Sequence, residues 1–307
     1  GGNYTNAKRG MMALVDTMRM EFPAYGIKVT EICPGTIDTQ KEKRDIALSL
    51  YNGISNNEFF PKFIPFMDTF TNEIIGYETV SRWNLNGVEI KPESFLTIAE
   101  YTGLIYEIEM YMFEQTVKFF SELKADKSVH LSRRFKASVN FSEHTIKRVF
   151  HEHLNKTLNK YGINPNEIII EIREQIITRE ETVERIDSLR NRGFLIAIDE
   201  YNNKHSSLRF LANIDVDILK LDSCLLERMD KEKEFTKMRS IYKFIVDISK
   251  NFDLTVVSSG INNKENLKLI KELGIHIGSG EIFSKGMLKE EFIDYIRDNK
   301  INRGFRK

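Results

Sequence analysis

The stretch Ile168-Ile169-Ile170-Glu171-Ile172 combines an almost continuous apolar run with a single acidic residue. The run Leu254-Thr255-Val256-Val257 is of the same kind. Strands that are apolar on both faces are typical of parallel sheets that are covered on both sides. Strand-like and helix-like segments alternate around these runs over about 250 residues. This alternation predicts an α/β fold, namely a TIM-type (β/α) barrel, with a doubly wound sheet as the alternative.

The alternation can be followed along the chain. Strands are predicted at residues 73–82, 135–141, 168–172, 194–198, 218–221, 254–258 and 276–278. Helical spacing of apolar residues predicts helices at 41–57, 92–101, 107–124, 143–161, 180–192, 233–251, 264–273 and 289–298. A further helix at 4–22 and a strand at 27–32 precede them.

The composition excludes several classes of protein. Among 307 residues, Lys and Arg together number 45, and so do Asp and Glu, so the formal net charge is zero. We therefore expect no nucleic acid partner and no anionic membrane partner. No apolar run approaches the roughly 18 residues of a membrane span, so a cytoplasmic location is expected.

The cysteines and the first residues carry little further information. Cys33 and Cys224 are too few for a disulfide framework and lack the spacing of a zinc site. The chain starts with Gly1-Gly2-Asn3, without an initiator methionine or a signal-peptide pattern. We therefore expect a start that is trimmed or not native.

Polar side chains recur at the ends of successive predicted strands. Oxygen donors that could hold a hard cation such as Mg²⁺ or Mn²⁺ are supplied by Glu78, Asn140, Glu171 and Asp199. In a barrel these strand ends meet at one mouth, where Lys220 could orient a water and Arg82 could grip a phosphate. Each of these residues alone could equally be solvated or salt-bridged, but five strands in register favour a site.

The residues around these positions occur in the order of a known family's motifs. They are Gly76-Tyr77-Glu78-Thr79-Val80-Ser81-Arg82-Trp83, Ser138-Val139-Asn140-Phe141-Ser142, Ile170-Glu171-Ile172-Arg173-Glu174, Asp199-Glu200 and Leu219-Lys220-Leu221-Asp222. Residues 41–298 thereby resemble an EAL domain, the cyclic-di-GMP phosphodiesterase fold. The resemblance implies a TIM-type (β/α)8 barrel with an atypical antiparallel first strand.

The resemblance also implies roles for individual residues. Enzymes of this family use two divalent cations to activate a water that opens one phosphodiester bond of cyclic-di-GMP, giving the linear dinucleotide. By position, the first-metal ligands correspond to Glu78, Asn140, Glu171 and Asp199. Lys220 corresponds to the lysine that holds the catalytic water, and Arg82 to the arginine that binds the substrate phosphate.

Several positions depart from the family pattern. Ser259 replaces a glutamate of the second metal, and Glu200 replaces the second aspartate of the D-D-F-G loop. Ile64, Asn262 and Glu281 replace a glutamine, a glutamate and a tyrosine of the pattern. We therefore expect impaired hydrolysis, at most one Mg²⁺ or Mn²⁺, and weak or absent cyclic-di-GMP binding. Of the two catalytic candidates, Lys220 keeps a vestigial water-positioning role and Glu200 keeps its carboxylate on a longer stem.

The first forty residues resemble something else. Tyr4 and Lys8 stand four apart, and a Gly-Ile-Lys-Val strand with a Pro-Gly-Thr turn follows at residues 26–36. The segment resembles a C-terminal fragment of a short-chain dehydrogenase, in which Tyr and Lys are the catalytic pair. The fragment lacks the glycine-rich nucleotide loop, so no NAD(P) is expected and the pair is vestigial. We expect a fragment at 1–40 and a barrel domain at 41–307.

Three functions are compatible with these observations. The first is a degenerate EAL protein that acts mainly by binding a partner protein, with a homodimer possible through the N-terminal helix. The second is an active or weakly active cyclic-di-GMP phosphodiesterase. The third is an oxidoreductase whose nucleotide-binding half lies outside this chain.

Overall fold

The computed structural model describes residues 37–178, 180–201, 214–223, 226 and 232–304. These residues belong to two compact units. The smaller unit contains residues 37–60 and Ser81–Tyr111, and the larger contains Pro61–Val80 and the described residues from Met112 onward. The predicted helix at 4–22, the strand at 27–32 and the pair Tyr4 and Lys8 lie outside the described residues. The predicted boundary at residue 40 stays a prediction.

One sheet contains the strands that the structure describes. They are β1 (Phe59–Asp68), β2 (Ile74–Leu85), β3 (Val88–Ile90), β4 (Lys136–Asn140), β5 (Ile168–Arg173), β6 (Leu195–Tyr201), β7 (Ile218–Leu221), β8 (Thr255–Ser258) and β9 (Ile277–Gly278). Their order in the sheet is β1-β9-β8-β7-β6-β5-β4-β2-β3, and β1 also pairs with β2. This extra pairing joins eight strands into a closed barrel, and β3 extends β2 outside it.

The strand directions agree with the sequence prediction. Neighbours from β2 through β4 to β9 run parallel, whereas β1 pairs antiparallel with β9 through Met67 and Asp68. The TIM-type barrel with an antiparallel first strand is thus confirmed, and the doubly wound alternative is wrong because the sheet closes. Parallel strands place their carboxyl ends at one mouth of the barrel, toward which the five residues Glu78, Asn140, Glu171, Asp199 and Lys220 lie.

Two strands escaped prediction. β1 contains Pro61 and Pro65, which argue against a strand because proline donates no ladder hydrogen bond. The ladder with β9 begins at Met67, so both prolines precede it. β3 has three residues and no buried side chain, so it carries no apolar pattern to detect.

Helices connect the strands. They are α1 (Ile37–Ser55), α2 (Leu96–Thr102), α3 (Ile105–Ala125), α4 (Glu143–Arg148), α5 (His151–Tyr161), α6 (Glu180–Arg190), α7 (Glu232–Asn251), α8 (Lys264–Glu272) and α9 (Lys289–Gly304). The single helix predicted at 143–161 is wrong, because Val149 and Phe150 are extended with ψ of 127° and 128°. A β-branched and an aromatic residue have low helix propensity, and Val149 is buried at this break.

Aromatic packing fixes the orientation of β2 within the larger unit. The Tyr77 ring contacts Phe63, Phe119 and Phe292, with ring centroids between 5.2 and 5.5 Å apart. Its hydroxyl donates to the carbonyl of Thr116 on α3 at 2.7 Å. Because strand side chains alternate between faces, the anchoring of Tyr77 outside the barrel turns Glu78 inward.

The barrel interior has an apolar layer at the amino end of the strands. It is formed by Phe66, Ile75, Ile169, Ala197, Ile218 and Val257, with Leu195 and Ile277 packed against it. Glu171 and Lys220 follow two residues after Ile169 and Ile218 on the same strands. The period of two therefore places these charged residues on the inner face, one layer closer to the carboxyl mouth.

The smaller unit has its own aromatic core. Phe59 and Trp83 stack with ring centroids 5.6 Å apart, and Phe95 meets both rings edge-on. The Trp83 indole Nε1 donates to Glu58 at 2.9 Å, which satisfies its only polar atom.

Candidate functional site

Five predicted residues come together inside the barrel. Glu78, Asn140, Glu171, Asp199 and Lys220 stand on β2, β4, β5, β6 and β7. The register places Asn140 opposite Glu171, and Arg173 opposite Asp199. The parallel ladder thus brings one polar side chain from each of five strands to the carboxyl half of the barrel.

The Lys220 ammonium lies between three carboxylates. Its Nζ is 2.7 Å from Glu78 Oε2, 2.6 Å from Glu171 Oε2 and 3.5 Å from Asp199 Oδ1. Lys220 is 4% exposed, Glu171 is 1% exposed and Glu78 is 8% exposed. Three acids share one cation away from water, so the cluster carries more negative than positive charge when all its groups are ionised. We call these four residues the acid–lysine cluster.

Hydrogen bonds from β4 also fix the second carboxylate oxygen of Glu171 and of Glu78. The Ser138 hydroxyl donates to Glu171 Oε1 at 2.5 Å, and the Asn140 amide donates to Glu78 Oε1 at 2.9 Å. Both donors face inward from β4 because they are two residues apart on one strand. The cluster is therefore preorganised from one side by β4 and from the other by Lys220.

Burial and mutual repulsion change the titration of the cluster. Burial, and then the nearby Glu78, raise the pKa of Glu171 to about 8. Burial also raises the pKa of Asp199, against the opposing effect of Lys220. Burial alone would lower the pKa of Lys220, but the three carboxylates outweigh it and raise that pKa well above the ordinary value. The lysine therefore stays charged, and burial with mutual repulsion opposes the simultaneous ionisation of all three acids.

The donor set fits a hard divalent cation by chemistry. Three carboxylates and one amide supply the oxygen ligands that Mg²⁺ and Mn²⁺ prefer. No group of three His, Cys, Asp or Glu residues is arranged as metal ligands in the part of the chain that the structure describes. The charge between the carboxylates here is the Lys220 ammonium.

Glu200 occupies a distorted position next to the cluster. Its φ of 55° lies in the left-handed region, and the β6–β7 register shifts between Ile198 and Tyr201. Such a bulge redirects side chains. The Glu200 carboxylate lies 3.8 Å from Arg173 Nε, and burial raises its pKa. Glu200 is thus held toward Arg173 on the neighbouring strand.

Ser259 is a short polar side chain at the carboxyl end of β8. Its hydroxyl oxygen is buried and has no hydrogen-bond partner among the described residues. Its backbone N–H donates to the Leu221 carbonyl at 3.2 Å, which continues the β7–β8 pairing. The side chain adds no charge to this part of the mouth.

Arg82 lies in the smaller unit and already has a partner there. Its Nε is 3.2 Å from Glu89 Oε1, and its side chain is 12% exposed. A further hydrogen bond joins Nη1 to the Ser81 carbonyl at 2.9 Å. Its predicted role toward a phosphate stays a prediction.

Sequence reasoning missed two partners of the predicted residues. Ser138 binds Glu171, and Arg173 binds Glu200. The signal for Ser138 was its spacing of two from Asn140 on one strand. Arg173 follows the same rule, because it stands two residues after Glu171 on β5.

Comparison with known families agrees with this geometry. The family model described as EAL domain matches residues 47–286, which is most of the chain. The chain belongs to the EAL domain family. A second model, described as short chain dehydrogenase, matches residues 1–47. The described part of this EAL chain contains no helix with the length and apolar character to cross a membrane.

The relatives of this EAL domain are distant. The probable cyclic di-GMP phosphodiesterase PdeB of Escherichia coli (strain K12) is 26% identical over 253 residues, which cover 81% of this chain and 47% of PdeB. The oxygen sensor protein DosP of the same organism is 25% identical over 84% of this chain and 32% of its own length. The chain thus spans half or less of the length of these curated relatives.

Solved structures share the fold. The EAL enzyme Bd1971 in its cAMP and cyclic-di-GMP bound form superimposes with a TM-score of 0.79 at 21% identity. The match covers 93% of this chain and 74% of that one. At this identity the likeness establishes the barrel architecture and leaves the chemistry to the residues.

Proposed function

We propose that this EAL domain is a regulatory protein of the cyclic-di-GMP signalling type whose hydrolysis is impaired and which acts mainly by binding another protein. The observation that carries the proposal is the buried Ser259 hydroxyl, which has no partner among the described residues and no charge. By resemblance, this position belongs to a glutamate of the second metal.

The charge at the two sides of the mouth supports this proposal. Phosphodiester hydrolysis with two cations needs a ligand set for each ion, because both ions neutralise the transition state. Glu78, Asn140, Glu171 and Asp199 would hold one Mg²⁺ or Mn²⁺, which when bound supplies Lewis-acid activation of the phosphodiester. On the β8 side of the mouth, the neutral hydroxymethyl side chain of Ser259 cannot supply the negative charge of a carboxylate.

The position of Glu200 supports the same conclusion. Its carboxylate is held toward Arg173, at 3.8 Å, on a strand that bulges at this residue. A misplacement of a reacting or binding group by about 1 Å can cost on the order of a hundredfold in rate. Glu200 therefore compensates poorly for the acid that Ser259 replaces.

A second candidate is a weakly active cyclic-di-GMP phosphodiesterase. It is favoured by the proximity of the four predicted ligands of the first metal around Lys220, namely Glu78, Asn140, Glu171 and Asp199. The same cluster would give the regulatory protein a single cation. The two candidates therefore differ in the second metal and in turnover.

Counting ions separates the candidates. Titration of the full chain with Mn²⁺ in a calorimeter should give one ion per chain, and Ser259→Glu should add a second. The matched control is Ser240→Glu on the exposed surface of α7, which should leave the count at one. Two ions bound by the wild-type chain would contradict the proposal.

An activity assay tests the consequence. The chain is incubated with cyclic-di-GMP and Mg²⁺ or Mn²⁺, and the linear product is measured by chromatography. We expect no product above that of Glu171→Gln. Metal-dependent product that only the wild type makes would establish the phosphodiesterase instead, and calorimetry with cyclic-di-GMP would then separate a weak binder from a non-binder.

The remaining predictions concern partners. Affinity capture from the native cell, followed by titration with the purified partner, tests the protein interaction. Sedimentation of the full chain tests the homodimer, and NADPH fluorescence titration tests the expected absence of nucleotide binding. A chain that turns over cyclic-di-GMP and captures nothing would reverse the order of the candidates.

A further inference from the structure

The amino end of the barrel contains a cavity that the proposed function does not use. Its volume is about 200 Å³. The walls are mainly apolar and come from the apolar interior layer, with Thr255 and the charged residues Arg134, Lys136 and Asp217 among the lining. Glu171 and Lys220 also line it, so the cavity lies behind the acid–lysine cluster as seen from the carboxyl mouth.

We propose that this cavity binds a small uncharged apolar molecule, about the size of one aromatic ring. The volume is the first reason. An engineered protein cavity of about 150 Å³ lined by Leu, Ile and Phe stays dry and takes up benzene. The present cavity is larger, and Phe66, Ile169, Leu195, Ile218 and Val257 supply walls of the same kind.

The state of the charged residues at the amino end is the second reason. Arg134 is 2.8 Å from Asp68 and 3.6 Å from Glu73, so its charge is already compensated. Asp217 accepts the Ile196 backbone N–H at 2.9 Å and lies 3.3 Å from Arg190. Within each of these ion pairs the opposite charges compensate each other, so neither pair needs a charged group from a ligand.

The remaining charged lining residues lead to the same conclusion. The Lys136 ammonium donates to the Asn166 carbonyl at 2.7 Å. Glu171 and Lys220 bind each other at 2.6 Å at the inner end of the cavity. A charged ligand would have to leave water for mainly apolar walls, which is costly, whereas an apolar ligand matches these walls.

The position of the cavity makes this site distinct from the mouth. Leu195 begins β6 and Thr255 begins β8. Asp199 lies toward the carboxyl end of β6, and Ser259 directly follows β8. A molecule in the cavity therefore contacts the back of the acid–lysine cluster through Glu171 and the Lys220 stem. Of the four residues proposed to hold a cation, only Glu171 lines the cavity.

The test uses toluene as the probe and benzoate as its charged counterpart. Methyl NMR of the full chain should show saturable shifts for Ile169, Ile218 and Val257 with toluene. Benzoate should bind at least about tenfold more weakly, because its carboxylate must be desolvated. Absence of saturable toluene shifts, or equal binding of benzoate, would overturn the proposal.

A blocking variant locates the site. Thr255 is exposed at the end of the cavity, so Thr255→Phe should fill the entrance without disturbing the core and weaken toluene binding by about tenfold or more. The matched control is Thr236→Phe on exposed α7, which should bind toluene like the wild type. Equal toluene binding by both variants would place the site elsewhere and refute the proposal.

Xenon in a crystal of the wild-type chain provides a check that needs no variant: density inside the apolar layer supports the cavity, and its absence there contradicts it.

Discussion

The two sides of the barrel mouth differ in how completely their polar groups are satisfied. On the side formed by β2 and β4–β7, Glu78 and Glu171 each accept a hydrogen bond at both carboxylate oxygens, and Lys220 compensates part of the charge. On the β8 side, the Ser259 hydroxyl is buried with no partner among the described residues. One side is built like a charged site and the other is not, so a motif at one strand is weak evidence for the state of its neighbour.

The largest effect should come from removing the cation of the satisfied side. Lys220→Met leaves three buried acids without a counter-charge and should cost about 3–5 kcal/mol of unfolding free energy in urea. The control is Lys250→Met, because Lys250 is exposed and 3.9 Å from Asp247, and it should change stability by less than about 0.5 kcal/mol. A loss below about 1 kcal/mol for Lys220→Met would mean that the cluster is well hydrated.

The pH dependence of stability sharpens the comparison. The pKa of Glu171 is raised to about 8 in the folded chain, so folding favours its protonated form. This contribution is fully present below the ordinary carboxyl pKa near 4.5 and is lost as the pH rises through 8. The urea concentration at the unfolding midpoint should therefore decrease as the pH rises from about 5 to about 8.

Glu171→Gln provides the control for this pH dependence. A neutral amide cannot titrate, so the variant should show a flatter profile over the same interval. A wild-type midpoint that rises with pH, or an unchanged slope in the variant, would show that another group controls stability there.

Two serines on the same barrel give the most direct comparison. Ser138→Ala removes the donor to buried Glu171 and should cost about 1–3 kcal/mol. Ser259→Ala removes a buried hydroxyl without a described partner and should stay within about 0.5 kcal/mol of the wild type. Denaturant unfolding of both variants measures the difference. Equal losses would mean that Ser259 has a partner as strong as that of Ser138.

A small effect should come from Arg173→Ala. Arg173 and Glu200 are 3.8 Å apart and both side chains are about 40% exposed, so solvent screens their attraction. The expected loss is below about 1 kcal/mol by the same unfolding measurement. A larger loss would show that Arg173 holds the bulge at Glu200. Arg173 would then contribute to the stability of the side of the mouth that carries the acid–lysine cluster.

The sequence predicted that polar side chains would meet in the barrel, because parallel strands share one rule. These residues lie on five adjacent strands, so their meeting follows from the strand order, whereas their roles in binding or catalysis stay predictions: Glu78, Asn140, Glu171, Asp199 and Lys220. The rule does not predict which of these side chains form ion pairs or hydrogen bonds with one another. The ion pairs of Lys220 and the hydrogen bond of Ser138 depend on side-chain geometry inside the barrel.

The fold was less accessible at its irregular parts. The prolines of β1 argued against a strand whose ladder with β9 begins only after them. The break between α4 and α5 contains no glycine or proline, so helical spacing ran through it. Val149 is buried in the tertiary structure where the chain leaves the helix, and helical spacing in the sequence does not reveal this burial.

The antiparallel pairing of β1 with β9 has a consequence for folding. β9 has two residues, so the seam of the barrel has the shortest ladder of any described strand. Thr69 reinforces it by donating its backbone N–H to His276 and its hydroxyl to Ile275, 206 positions away, each at 2.8 Å. Contacts between such remote segments form late, because a long loop must close first. Until this seam forms, β1 and β9 expose open edges, and an unfinished chain is most exposed to aggregation at these two strands.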